Sequence, residues 1–216
     1  MIEHTIAATT HGRYLVVPSA TPVSPLLVGF HGYGESADIQ LTRLTAIRGS
    51  ERFTTVAVQG LHRFYQRRTE EVVASWMTRQ DRELAIADNL AYVAAVVEAE
   101  WASRGGSRGV MFAGFSQGVA MAFRAAAASQ LPVLGVVAAG GDVPPELEPP
   151  ALTRIAHVLL CRGRRDDWYT HEKFEQDRHR LLGASVTLTP IEHEDGHDWS
   201  DAVIQAASSF LNARLS

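Results

Sequence analysis

Short apolar and β-branched runs alternate along the chain with segments of helical period. Strands are predicted over Arg13–Val17, Leu26–Phe30, Thr54–Val58, Gly109–Ala113, Leu134–Ala138, His157–Cys161 and Val186–Thr189. Helices are predicted over Ala37–Ile47, Arg82–Ala102, Gln117–Ala128, Thr170–Leu181 and Asp198–Arg214. In the second helix Leu84, Ala87, Leu90, Ala91, Ala94 and Val97 form one apolar face. The middle strands are nearly continuous apolar runs, as a sheet covered by helices on both faces requires. The expected fold is therefore α/β, a mostly parallel central sheet with helices on both faces. No repeat or low-complexity segment interrupts it. The Pro144–Pro150 stretch, PPELEPP, leaves too little chain after it for a second core, so it reads as a surface loop within one domain, 1–216. In such sheets chemistry sits in loops at the carboxyl ends of the strands.

One of those loops carries a hydroxyl between glycines. Gly114-Phe115-Ser116-Gln117-Gly118 joins the strand Val110–Ala113 to the helix that starts at Gln117. This G-x-S-x-G pattern exposes a serine on a sharp strand-to-helix turn, with small flanking residues so that strand and helix can approach. The bland alternative is a helix-capping serine; the strand before and the helix after favour a nucleophile.

A serine nucleophile needs a base, and the base needs an orienting acid. For this elbow the acid and then the histidine follow the serine in the chain. The last strand is followed by His193-Glu194-Asp195-Gly196-His197. His197 follows a glycine and opens the final helix, which favours it as the base over His193. Two histidines four apart among acidic residues also suggest a metal site, but that spacing aligns ligands only on a helix, and Gly196 opposes one. For the acid, Asp166 and Asp167 both follow the strand ending at Cys161. Adjacent side chains point different ways, so only one of them can serve. An oxyanion requires fixed donors: the Gln117 amide, directly after the serine, and the Tyr33 amide in the turn His31-Gly32-Tyr33-Gly34. His31 is expected to brace that turn.

Aromatic residues crowd the same loops. Trp76 and Trp168 are expected to line an apolar substrate pocket, with Tyr33, Tyr169 and Trp199 nearby. Arg63, Arg67 and Arg68 read as a solvated loop.

Composition narrows the classes. With 46% hydrophobic and 20% charged residues the chain reads as an ordinary globular protein, and its net charge of −4 gives no sign of nucleic-acid binding. The single cysteine, Cys161, excludes an internal disulfide, and the N-terminal stretch lacks a signal pattern. No apolar stretch is long enough to span a bilayer. The expected location is cytoplasmic.

HGYGES, then GFSQGVAMAF, then an aspartate after a glycine, then a late Gly-His together resemble the phospholipase/carboxylesterase family of α/β-hydrolases, which includes bacterial carboxylesterases and acyl-protein thioesterases. The resemblance runs from about Leu26 to the C-terminus, and the GFSQG elbow is its most specific part. It implies an α/β-hydrolase fold with no large cap domain and a serine mechanism without cofactor or metal. The family's HG-x-x-D motif maps onto Gly163-Arg164-Arg165-Asp166, which selects Asp166 over Asp167; His197 and Tyr33 map onto the family's histidine and early-loop residue. The chain departs from the family at Arg162, in place of a histidine, and at Asp167–Thr170. The expectation is a serine carboxylesterase acting on a small-molecule ester or thioester, with a homodimer left open. A thioesterase or lysophospholipase with the same triad, and a catalytically inactive binding protein on the same fold, are the alternatives.

Overall fold

The computed structural model describes residues 1–106 and 108–215. In chain order it forms β1 (Tyr14–Val17), β2 (Leu26–Phe30), α1 (Ala37–Thr45), β3 (Thr54–Val58), β4 (His62–Tyr65), β5 (Val72–Ser75), α2 (Arg82–Ser103) and β6 (Val110–Phe115). Then follow α3 (Gln117–Ala128), β7 (Val133–Ala139), α4 (Pro149–Leu152), β8 (His157–Gly163), α5 (His171–Gly183), β9 (Thr187–His193) and α6 (Asp201–Asn212).

Seven strands form one sheet in the order β1-β3-β2-β6-β7-β8-β9. All neighbours in it are parallel except β1, which pairs antiparallel with β3 at one edge. Residues of the central strands alternate between two cores. Leu26, Val28 and Phe30 of β2, with Phe112 of β6, join Val93, Met121, Phe123, Phe174 and Leu181 on one face. Leu27, Met111, Ala113 and Phe115 join Leu44, Val203, Ala207 and Phe210 on the other. The continuous apolar runs are thus two alternating faces, both covered: α2, α3 and α5 on one side, α1 and α6 on the other.

The topology also opens a crevice. β2 leads through α1 to β3 on one side of it, whereas β6 leads through α3 to β7 on the other side. The loops after β2 and β6 therefore diverge from adjacent strand ends, the place where such sheets hold ligands.

Several features differ from the sequence expectation; the last strand, expected over Val186–Thr189, runs on to His193. Leu61–Arg68, read as a solvated loop, supplies β4, which pairs with β5 as a separate hairpin. Every residue of β4 is exposed, so it has no buried face to give an alternating pattern. The proline-rich stretch ends in the one-turn α4 rather than in loop alone. The last helix starts at Asp201 instead of Asp198, with Ser200 at the N-cap position after a turn at Gly196 and Asp198. Among the described residues no helix is long and apolar enough to cross a membrane.

Candidate active site

At the end of β6 the backbone turns abruptly. Ser116 adopts φ 52° and ψ −120°, outside the regions an L-residue prefers, and α3 starts at the next residue. Such a conformation costs about 1–3 kcal/mol and persists only where its surroundings hold it. They do so here: the Ser116 amide donates to the Ala139 carbonyl at 3.0 Å, and its carbonyl accepts from the Val119 amide at 3.0 Å. Two glycines make the turn sterically feasible. A Cβ on Gly114 would lie 2.4 Å from the Gly118 carbonyl oxygen, and one on Gly118 would lie 2.1 Å from that of Phe30.

The serine hydroxyl meets an imidazole from the far end of the chain. Ser116 Oγ lies 2.9 Å from His197 Nε2, and His197 Nδ1 lies 2.8 Å from Asp166 Oδ2. The other carboxylate oxygen, Oδ1, accepts the Trp168 and Tyr169 amides at 2.8 and 2.9 Å. An ionised Asp166 can only accept, so the His197 proton sits on Nδ1 and the Nε2 lone pair faces the serine. Asp166 is buried, whereas Asp167 is exposed to solvent. Arg162 holds the acid loop from beneath: its Nε donates to the Tyr169 carbonyl at 2.9 Å, and its Nη1 pairs with Glu192 at 2.7 Å.

His193, the alternative base, belongs elsewhere. Its Nδ1 lies 3.1 Å from Asp195 and 3.4 Å from the Ser200 hydroxyl, within the loop itself. The two histidines thus belong to separate hydrogen-bond systems. Among the described residues no three His, Cys, Asp or Glu side chains converge as a metal ion would require.

Against the elbow packs the turn after β2, whose Phe30 and His31 carbonyls crowd Gly118. The Gly32 amide donates to Glu35 Oε2 at 2.7 Å and the Gly34 amide to the Ala74 carbonyl at 3.0 Å, which fixes the peptide of Tyr33 between them. The Gln117 amide opens α3 and so lacks an intrahelical acceptor. His31 braces the turn. Its Nδ1 lies 2.7 Å from the Gly32 carbonyl and its Nε2 accepts the Gly60 amide at 3.0 Å; burial lowers its pKa, keeping the ring neutral for that acceptor role.

Several supporting side chains escaped the sequence reading. Arg43 forms a bidentate pair with Glu35 at 2.6 and 2.8 Å, and its guanidinium lies 4.2 Å above the Phe115 ring. Gln117 does more than offer an amide: its Oε1 accepts the Trp76 amide at 2.9 Å and its Nε2 donates to the Met77 carbonyl at 3.0 Å. A charged pair eight residues apart and a glutamine inside the elbow were the available signals.

The expected place of Trp76 needs correction. Its side chain is fully buried, edge-on to Phe30, and its indole N–H donates to the His31 carbonyl at 2.8 Å. It supports the site and does not line the pocket; Met77 does. Trp168 is exposed at the pocket rim. The cavity beside Ser116 has a volume of about 250 Å³ and is less apolar than expected, with Arg82, Arg124, Asp142 and Lys173 in its walls.

Comparisons with known proteins bear on the family and the fold. The model of the phospholipase/carboxylesterase family matches residues 11–215. A search of curated proteins returned no match. Among solved structures, the Bacillus cereus carboxylesterase superposes with a TM-score of 0.72 at 16% identity, over 94% of each chain. Esterase PE8 gives 0.69 at 23% identity, over 94% of this chain and 99% of its own. Acyl-protein thioesterase 2 of Zea mays gives 0.73 at 19%, over 95% of this chain and all of its own, 100%.

Proposed function

The chain belongs to the phospholipase/carboxylesterase family, and on that premise we propose that it is a serine hydrolase of small carboxylic esters that works through an acyl-enzyme. The hydrogen-bonded line from Ser116 through His197 to Asp166 carries this reading, because it starts from a serine held at positive φ on an elbow. Ser116 Oγ attacks the ester carbonyl carbon as His197 Nε2 takes its proton. Asp166 holds the imidazole orientation and stabilises the charge that forms on it. The amides of Gln117 and Tyr33 receive the developing oxyanion. The carbon–oxygen bond to the alcohol then breaks as His197 returns the proton to the leaving oxygen. Water, activated by the same histidine, attacks the acyl-serine and releases the acid, regenerating the hydroxyl. Thioesters fit the same steps, with a thiol as leaving group.

The test is hydrolysis of p-nitrophenyl esters from acetate to palmitate, together with labelling by a fluorophosphonate. Wild type should turn over short esters and accept the label at Ser116. Ser116→Ala should lose both, with kcat reduced by about 10⁴-fold or more. Undiminished hydrolysis by Ser116→Ala would overturn the reading.

A further inference from the structure

One end of the cavity holds Ser116 and His197; the wall further along α3 holds a guanidinium the mechanism leaves unused. Gln117, Ala120 and Arg124 stand three and four residues apart on α3 and line the cavity together. Ala120 keeps the face low between the other two. Helical side chains lean toward the N-terminus of their helix, so Arg124 is directed back toward Ser116. Its side chain is only 2% exposed.

This buried cation is under-compensated. Its Nε and Nη2 both bind the same oxygen of Glu146, the former at 2.8 Å. Its Nη1 has, among the described residues, only the Met77 thioether sulfur at 3.8 Å, a weak acceptor. Glu146 is also shared with a second guanidinium, since Arg82 approaches it at 3.9 Å. The wall's other two charges, Lys173 and Asp142, offset each other at 3.4 Å, so two guanidinium groups on one carboxylate leave a positive charge in the wall of a chain whose net charge is −4. Burial lowers the pKa of Arg124, and the Glu146 contact only partly offsets it.

We propose that this wall is a subsite for a carboxylate carried by the substrate, and that the preferred substrates are mono-esters or mono-thioesters of short dicarboxylic acids. The inference rests on the serine-hydrolase reading of Ser116. The reacting carbonyl lies at Ser116 while the free carboxylate meets Arg124 Nη1, with Arg82 beside it. Along α3 the two residues are separated by about 12 Å, less the reach of an arginine side chain, which selects a short diacid over a long one.

The experiment compares kcat/KM for p-nitrophenyl butyrate and for the p-nitrophenyl mono-ester of glutaric acid, in wild type, Arg124→Met and Arg82→Met. Wild type should favour the acidic ester about tenfold or more, and each variant should lower that ratio severalfold. Arg82 is partly exposed, so its variant carries the test if Arg124→Met does not fold. Protection of Ser116 from a fluorophosphonate by glutarate, and not by butyrate, reads the same preference if neither ester turns over. Equal rates, equal protection or no protection overturn the subsite alone when Ser116 is still labelled. Absence of both turnover and labelling overturns the hydrolase reading beneath it. An acidic preference that survives both substitutions also overturns the subsite.

Discussion

Two histidine–aspartate pairs meet at the carboxyl ends of β8 and β9, built inside out with respect to each other. In the pair His197–Asp166 the carboxylate is 1% exposed and the ring 24%. In the pair His193–Asp195 the ring is 6% exposed and the carboxylate 46%. The first buries its anion, secures it with two backbone amides and leaves the far ring nitrogen facing a hydroxyl. The second buries the ring and lets the anion face water. The same two residue types thus make an imidazole aimed at a hydroxyl beside a cavity in one case and a packing post in the other. What separates them is which partner the backbone holds.

Removing each imidazole should break the comparison most sharply. His197→Ala should lower kcat for a short ester by about 10⁴-fold with little loss of stability. His193→Gln should leave turnover near wild type and cost about 1 kcal/mol in urea unfolding, the price of one buried hydrogen bond. Equal losses of activity from both would mean that the loop acts as a unit. The carboxylates come next. Asp166→Asn should reduce kcat by up to about 10⁴-fold, because an amide facing Nδ1 favours the wrong tautomer. Asp195→Asn should leave the rate of the same ester unchanged.

A third carboxylate sharpens the contrast on a smaller scale. Asp177 is buried and accepts the Val143 amide at 2.9 Å and the Tyr169 hydroxyl at 3.0 Å. Burial pushes its pKa up to about 6. The folded state then binds this proton more tightly than the unfolded chain, so its contribution is complete at low pH and is lost as pH rises through about 6. Between pH 4 and 6 the wild type should lose about 2 kcal/mol that Asp177→Asn does not lose. Urea titrations at pH 4, 5, 6 and 7 measure the difference, and parallel curves would show that Asp177 titrates normally.

The parts of the site that were readable from the chain are those a local backbone requirement writes into a few consecutive residues. Gly114 and Gly118 bracket Ser116 because neither has room for a Cβ. Asp166 and Asp167 were not separable on their own residues; only the family resemblance selected Asp166, whose carboxylate accepts the amides of Trp168 and Tyr169 in the same turn. The five inner strands of the main sheet were legible for a similar reason, since burial on both faces leaves nearly unbroken apolar runs. What escaped depends on partners distant in the chain. Trp76 turns inward because Gln117 and His31, 41 and 45 residues away, hold its two N–H groups. Arg124, in an alanine-rich helix, looks like a solvent-facing charge until Glu146 and Met77 fold over it. The β4–β5 hairpin gave no pattern because β4 buries nothing.

Gln117 has a consequence for anyone who would re-engineer the specificity of this protein. Its backbone belongs to the elbow, while its side chain anchors the segment Ser75–Met77, and Met77 in turn touches Arg124. A loop grafted in place of that segment would lose its mooring unless it reproduced both the amide at position 76 and the carbonyl at position 77. The elbow and the cavity wall are therefore not separable modules here. A transplant that ignores the glutamine would be judged a poor binder when its fault was mechanical.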